Sequence, residues 1–185
     1  MASKNRGTER ISEAPRVPLR VHPEGRSRMR LLNAIRDAAV AGYGARLVSL
    51  AVFGSYARGT DGPGSDIDLL AVVNQLPAQR WDRWAEWDKV EAEIPKRLNG
   101  AVPLPLAPIV TSPEAITAGS LILLDLTEDA ILLHDPSGFL AGRLTRLRNR
   151  LHELGARRVW LDGDRWYWDL KPDYRPGEVF ELWPE

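Results

Sequence analysis

Leu47-Val48-Ser49-Leu50-Ala51-Val52-Phe53 runs straight into Gly54-Ser55-Tyr56-Ala57-Arg58-Gly59, and after a loop the chain resumes as Ser65-Asp66-Ile67-Asp68-Leu69-Leu70-Ala71-Val72-Val73. The first run is short, apolar and cut by Gly54-Ser55, the pattern of a buried strand. A glycine-rich loop (Gly59, Gly62, Gly64) leads to a second apolar strand with two aspartates at its mouth. Ten residues separate Ser55 from Asp66. These four residue types at this spacing arise by chance on the order of once in a few hundred chains of this length. Each half alone also occurs in ordinary solvated turns, so the joint spacing on these elements carries the signal.

The chemistry of that pairing is specific. Asp66 and Asp68 are two apart on a strand, so their carboxylates point to one face. Like charges held that close repel, unless a cation lies between them or a pKa shifts. Hard oxygen ligands at a strand mouth suit Mg²⁺, which takes one or two carboxylates plus substrate phosphates. Gly54 lets the backbone approach a phosphate closely. Ser55 adds a hydroxyl, and a short helix from about Tyr56 would aim N–H groups at the anion. Arg58, one turn on, can supply a fixed positive charge. Together these predict a site for a nucleoside triphosphate with metal. The reaction implied is attack on the α-phosphate with pyrophosphate leaving between two metal ions.

Upstream, Met29, Leu32, Ile35, Ala39 and Val40 recur at helical spacing, and Gly42 and Gly44 end the helix. Residues 1–30 hold eight Lys or Arg against three Glu, with Pro15, Pro18 and Pro23, and residues 1–27 read as a flexible basic tail. An arm touching RNA or an acidic partner is the other reading of that tail. Downstream, Trp81 to Leu98 reads as an amphipathic helix, its Trp84, Trp87, Val90 or Glu91, Ile94 and Leu98 one turn apart. Its tryptophans are core or a partner-facing surface. Val102 to Val110, with Pro103, Pro105 and Pro108, is an edge or irregular strand. Residues 28–112 form the expected core, and residues 113–185 a C-terminal extension. In that extension Pro113 to Asp125 predicts one or two short helices, and Ala130 to Leu133 a strand. Phe139 to Leu154 is a helix with the stripe Leu140, Leu144, Leu147 and Leu151, and Gly155 follows it. Arg157 to Leu161 and Trp166 to Leu170 flank Asp162-Gly163-Asp164, a hairpin signal.

Composition narrows the classes. The 185 residues contain no cysteine, which excludes disulfides, thiolate metal sites and cysteine nucleophiles. The three histidines, His22, His134 and His152, are too scattered for a histidine-rich metal centre. Lys and Arg total 25, as do Asp and Glu, so overall charge favours neither nucleic acid nor an anionic membrane. The longest apolar runs fall far short of a bilayer span, and no apolar leader segment is visible, so a cytoplasmic protein with no membrane contact is expected.

Gly54-Ser55-Tyr56-Ala57-Arg58-Gly59 with Ser65-Asp66-Ile67-Asp68-Leu69 resembles the signature of the polymerase-β-like nucleotidyltransferase superfamily, in its minimal form. The resemblance covers roughly residues 29–110. It implies an α/β (α+β) fold, a small mixed sheet flanked by helices, with the glycine-serine turn and the aspartate pair on neighbouring strands. By position it assigns Gly54 and Ser55 to the triphosphate and Asp66 and Asp68 to two Mg²⁺ ions, with Ser65 beside them. Leu154-Gly155-Ala156-Arg157-Arg158 and Trp168-Asp169-Leu170-Lys171-Pro172-Asp173 resemble the tail of a prokaryotic subfamily of such proteins. Proteins of the minimal type are typically paired with a HEPN-domain RNase toxin and act as antitoxins that adenylylate a tyrosine of the toxin. The resemblance thus implies AMP transfer from ATP to a protein hydroxyl.

There is one departure. The superfamily carries a third carboxylate on a neighbouring strand, where it joins the metal site and can act as general base. Val102 to Val110 contains no Asp or Glu. Glu114 is the nearest candidate, and Asp125, Asp169 and Asp173 lie on later segments that could fold back. Two further readings therefore stay open. Arg143, Arg146, Arg150, Arg157 and Arg158 could hold tRNA or another RNA as acceptor, and the protein could then itself be a toxin. The Trp160, Trp166, Tyr167, Trp168 and Tyr174 group could stack bases or pack a hairpin. Alternatively the fold is retained without efficient catalysis, and the protein acts by binding. His134 and Asp135 read as structural, and Lys171 is a possible triphosphate ligand.

Overall fold

β1 (Leu47–Phe53) and β2 (Ile67–Val73) form over the two apolar runs and pair antiparallel, with Phe53 opposite Asp68. Both are central strands, buried on two faces, which is why their hydrophobicity is continuous rather than alternating. The computed structural model describes residues 23–98, 102–161 and 165–183. β3 (Leu106–Thr111) runs parallel to β2, and β4 (Ile131–His134) pairs antiparallel with β1. The mixed sheet has the order β3-β2-β1-β4. β3 lies at the edge, where Pro108 costs no ladder bond that a central strand would need.

Alternation sorts the sheet residues onto two cores. Leu50, Val52, Ile67, Leu69, Ala71 and Val73 pack on one face, beneath α1 (Pro23–Tyr43), α3 (Arg80–Glu91) and α4 (Ile94–Leu98). Ala51, Phe53, Leu70 and Val72 pack on the other. That second face is covered by α5 (Pro113–Ala118), α6 (Ile122–Asp129) and α7 (Phe139–Glu153). The expected stripe Leu140, Leu144, Leu147 and Leu151 is wholly buried there. Residues 113–185 thus contribute β4 to the sheet and the helical layer on its second face. β5 (Arg157–Trp160) and β6 (Trp166–Asp169) form the hairpin, and its turn at Asp162-Gly163-Asp164 lies outside the described residues. Among the described residues, no helix is long and apolar enough to cross a membrane.

Several elements differ from their sequence reading. α1 begins at Pro23, inside the segment read as a tail, because proline lacks only a donor that the first helical turn leaves unpaired anyway. The rest of that tail, residues 1–22, lies outside the described residues. Met29 and Val40 are exposed, and the packed stripe of α1 is Leu31, Leu32, Ala34, Ile35, Ala38 and Ala39. The helix read over Trp81 to Leu98 is two helices broken at Ala92-Glu93. Pro95 is the cause: it cannot donate to the carbonyl four residues back, and its ring clashes there. Trp87 is fully buried, whereas Trp81 is 81% exposed.

Candidate active site

β1 ends at Phe53, and the backbone turns through Gly54 at φ +73° into the five-residue helix α2 (Gly54–Arg58). Asp68 stands opposite Phe53 on β2, so the turn and the acid meet at one sheet mouth. They touch: a Cβ built on Gly54 would lie 2.0 Å from Asp68 Oδ2 and 3.0 Å from its Cγ. Both the left-handed φ and the missing Cβ are therefore required at this position. Gly59 ends α2 at φ +74°, and its N–H and that of Thr60 close back on the helix carbonyls of Tyr56 and Ser55.

The loop returning to β2 is held at several points. Ser65 accepts from the Gly62 N–H at 3.0 Å, and the Ser65 N–H donates to the Gly62 carbonyl at 3.0 Å. Ser65 thus closes the turn that delivers Asp66. Arg28 of α1 donates to Asp61 at 3.1 Å, and its guanidinium lies 3.7 Å from the centre of the Tyr56 ring. The Ile67 N–H donates to the Pro105 carbonyl at 2.9 Å, which ties β2 to the segment entering β3.

Asp68 shares the face of Leu70 and Val72; Asp66, read from sequence as part of the strand, lies just before β2 begins, close enough for its charge to act on Asp68. Burial, and then the Asp66 charge, push the Asp68 carboxyl above the usual carboxylate range, while Arg58 opposes them. Neither aspartate has an ion-pair partner among the described residues, although Arg58 is near enough for its charge to be felt. Two repelling carboxylates with no cationic partner, set against a glycine cradle, fit a divalent cation that takes its remaining ligands from a phosphate chain. No group of three or more potential ligands for a metal occurs among the described residues.

Each sequence candidate for a third acid has a placement or partner of its own. Ala107, not an acid, stands beside Asp68 on β3. Glu114 follows the opposite end of β3, beyond about 13 Å of strand on rise alone. There it lies in the first turn of α5, next to the capping Ser112. Asp125 accepts from the Nε1–H groups of Trp166 and Trp168 at 3.3 and 3.1 Å. Asp169 pairs with Arg157 at 3.5 Å and Asp173 with Lys171 at 2.9 Å. Lys171 is thereby also engaged.

Other sequence candidates receive structural roles. Asp135 accepts from the N–H groups of Leu140 and Ala141 at 3.2 and 2.9 Å, capping α7, and from the buried Ser49 hydroxyl at 2.8 Å. Most of the basic cluster is partnered: Arg143 to Thr117, Arg150 to Glu153 and the Glu181 carbonyl, Arg157 to Asp169 and Arg158 to Asp129. Arg58 donates to Asp129 at 2.6 Å, a contact between α2 and α6 that no local pattern announces.

The sequence profile of the nucleotidyltransferase domain family matches residues 32–104, the stretch that carries this mouth. A protein of Methanocaldococcus jannaschii named "Putative protein adenylyltransferase MJ1305" is 30% identical over 108 residues, 57% of this chain and 71% of that protein. The chain belongs to the polymerase-β-like nucleotidyltransferase superfamily. A second relative of this nucleotidyltransferase is the aminoglycoside nucleotidyltransferase (4') of Staphylococcus aureus, 35% identical over 69 residues, 36% of this chain but 27% of that enzyme. Among solved structures, a toxin-antitoxin with AMP-PNP superposes at a TM-score of 0.42 and 14% identity, covering 66% of this chain and 92% of that one.

Proposed function

We propose that this nucleotidyltransferase moves AMP from ATP onto a hydroxyl of a protein partner, a HEPN-domain RNase toxin, and so acts as its antitoxin. The observation that carries the reading is the contact of Gly54 with Asp68, which makes the glycine-serine turn and the acid pair one site. The archaeal relative, through the protein adenylyltransferase in its name, favours a protein acceptor. Residues 28–112 carry the chemistry in this reading, and residues 113–185 build the wall beside it.

Asp66 and Asp68 would hold two Mg²⁺ ions, which neutralise charge on the phosphates and activate the acceptor oxygen. Gly54, Ser55 and Ser65 would seat the triphosphate, and Arg58 adds positive charge from the wall. The acceptor oxygen bonds to the α-phosphorus, the bond to the bridging oxygen breaks, and pyrophosphate leaves. No third carboxylate joins the pair in a metal-holding group among the described residues, where it could also receive the hydroxyl proton. General-base help is worth roughly 10²–10⁴-fold in rate. That observation favours a second reading, a slow or inactive member that neutralises its partner by binding alone.

Labelled ATP, GTP, CTP and UTP with Mg²⁺, offered with a co-encoded HEPN protein, bulk tRNA or an aminoglycoside, separate the readings. The expected result is label from ATP on the protein band, abolished by Asp66→Asn with Asp68→Asn. Label on RNA or on the aminoglycoside overturns the protein acceptor. No label, with a stable complex unaffected by the double variant, establishes the binding-only reading.

A further inference from the structure

Arg58 is held by groups that lie beyond the family match at residues 32–104. Its guanidinium donates to Asp129 at the end of α6, whose side chain is only 7% exposed. It also lies 5.0 Å from the centre of the Trp166 ring on β6. Asp129 has a second partner, Arg158 on β5, at 3.4 Å. Arg158 is itself 11% exposed and sits 5.0–6.0 Å from the ring centres of Trp160, Trp166 and Trp168. Asp125 completes the cluster, taking both indole N–H groups and lying 3.7 Å from Arg158. Two arginines and two aspartates balance in a largely buried setting, so each charge has a reason to stay.

The placement matters because of what lies next to it. Arg58 is one helical turn from Gly54, and Gly54 touches Asp68. A free guanidinium there would be drawn to the two carboxylates that lack a cationic partner, since opposite charges attract strongly where water is partly excluded. It would then occupy the face that a divalent cation needs. Asp129 competes for Arg58, and Trp166 stacks it in that position.

We propose that Asp129, braced by Arg158 and Trp166 of the C-terminal hairpin, is a positioning residue that holds Arg58 off the Asp66–Asp68 pair and keeps that pair open to the cation of a nucleoside triphosphate. The inference rests on the metal-nucleotide reading above and adds a task for the hairpin.

The test is calorimetric titration of the full chain with Mn²⁺, alone and with a non-hydrolysable ATP analogue. Asp129→Asn is expected to weaken Mn²⁺ binding roughly 10–100-fold, the range for lost support around a metal site. Asp129→Glu should restore binding. Asp129→Asn combined with Arg58→Gln should bind Mn²⁺ as Arg58→Gln alone does, because the competitor is gone. Wild-type affinity in a folded Asp129→Asn, or a double variant as weak as Asp129→Asn itself, overturns the proposal. Should Asp129→Asn fail to fold, Trp166→Leu replaces it, with a smaller loss expected and again relieved by Arg58→Gln. Wild-type protein that binds no Mn²⁺ ends the parent reading, and this inference with it.

Discussion

Replacing Gly54 with alanine tests the site at its tightest contact. Two penalties act together. Gly54 has φ +73°, where an L-residue costs about 1–2 kcal/mol. The new Cβ would also lie 2.0 Å from Asp68 Oδ2. Ordinary contact needs about 3.5 Å, so the carboxylate must retreat by about 1.5 Å. A displacement of that order at a reacting centre costs about 10²-fold or more in rate. Gly59 supplies the control: its φ is +74°, but nothing lies within 4 Å of an added Cβ. Gly59→Ala therefore carries the backbone strain without the collision. Both variants should melt lower, by about 2–4 °C for each kcal/mol in a chain of this size. Only Gly54→Ala should lose Mn²⁺ binding in calorimetry and nucleotidyl transfer in the labelling assay. Equal Mn²⁺ affinities in the two variants would refute the argument that Gly54 is there to admit Asp68.

Tyr43 predicts a pH effect on stability. Burial first, and then the Glu86 charge, push its phenol up to about 12, with Arg46 opposing. The unfolded chain ionises this group from pH 10 upward while the fold holds it neutral, so its stabilisation is complete below pH 10 and is lost between pH 10 and 12. At pH 11 the loss is about 1.4 kcal/mol. The stability gap between wild type and Tyr43→Phe, from urea melts, should hold steady at pH 8–9 and shift by that amount towards the variant at pH 11; a gap indifferent to pH would contradict this. On α3, Trp87→Ala should cost about 3–5 kcal/mol in the same assay, whereas Trp81→Ala should stay within about 0.5 kcal/mol. Trp87 is fully buried and donates to Glu91 at 3.0 Å, so similar costs at the two positions would refute the burial assigned to this helix.

Local pattern made much of this molecule legible. A strand buried on both faces must be apolar throughout, and Leu47–Phe53 and Ile67–Val73 are the strands those runs announce. A strand alternates its side chains, which puts Asp68 on the face of Leu70 and Val72, with Asp66 one residue ahead of the strand. The stripe of α7 and the hairpin of Arg157–Trp160 and Trp166–Asp169 follow from spacings of a few residues. Where the pattern misled, a local rule had been outweighed: Pro95 breaks the helix of the three tryptophans, and Pro23 permits an earlier start to α1.

Sequence alone thus determined the strand-turn-strand unit and the residue types at its mouth, because those depend on neighbours along the chain. Tertiary structure decided which distant groups reach that mouth. Glu114 lies just beyond β3 in sequence, yet the parallel pairing of β3 carries it to the far end of the sheet from Asp68. Asp129 is 71 residues from Arg58, yet the layer of α6 over the second face brings the two side chains to 2.6 Å. Periodicity records which side of an element is buried; it holds no record of what the opposing element presents there.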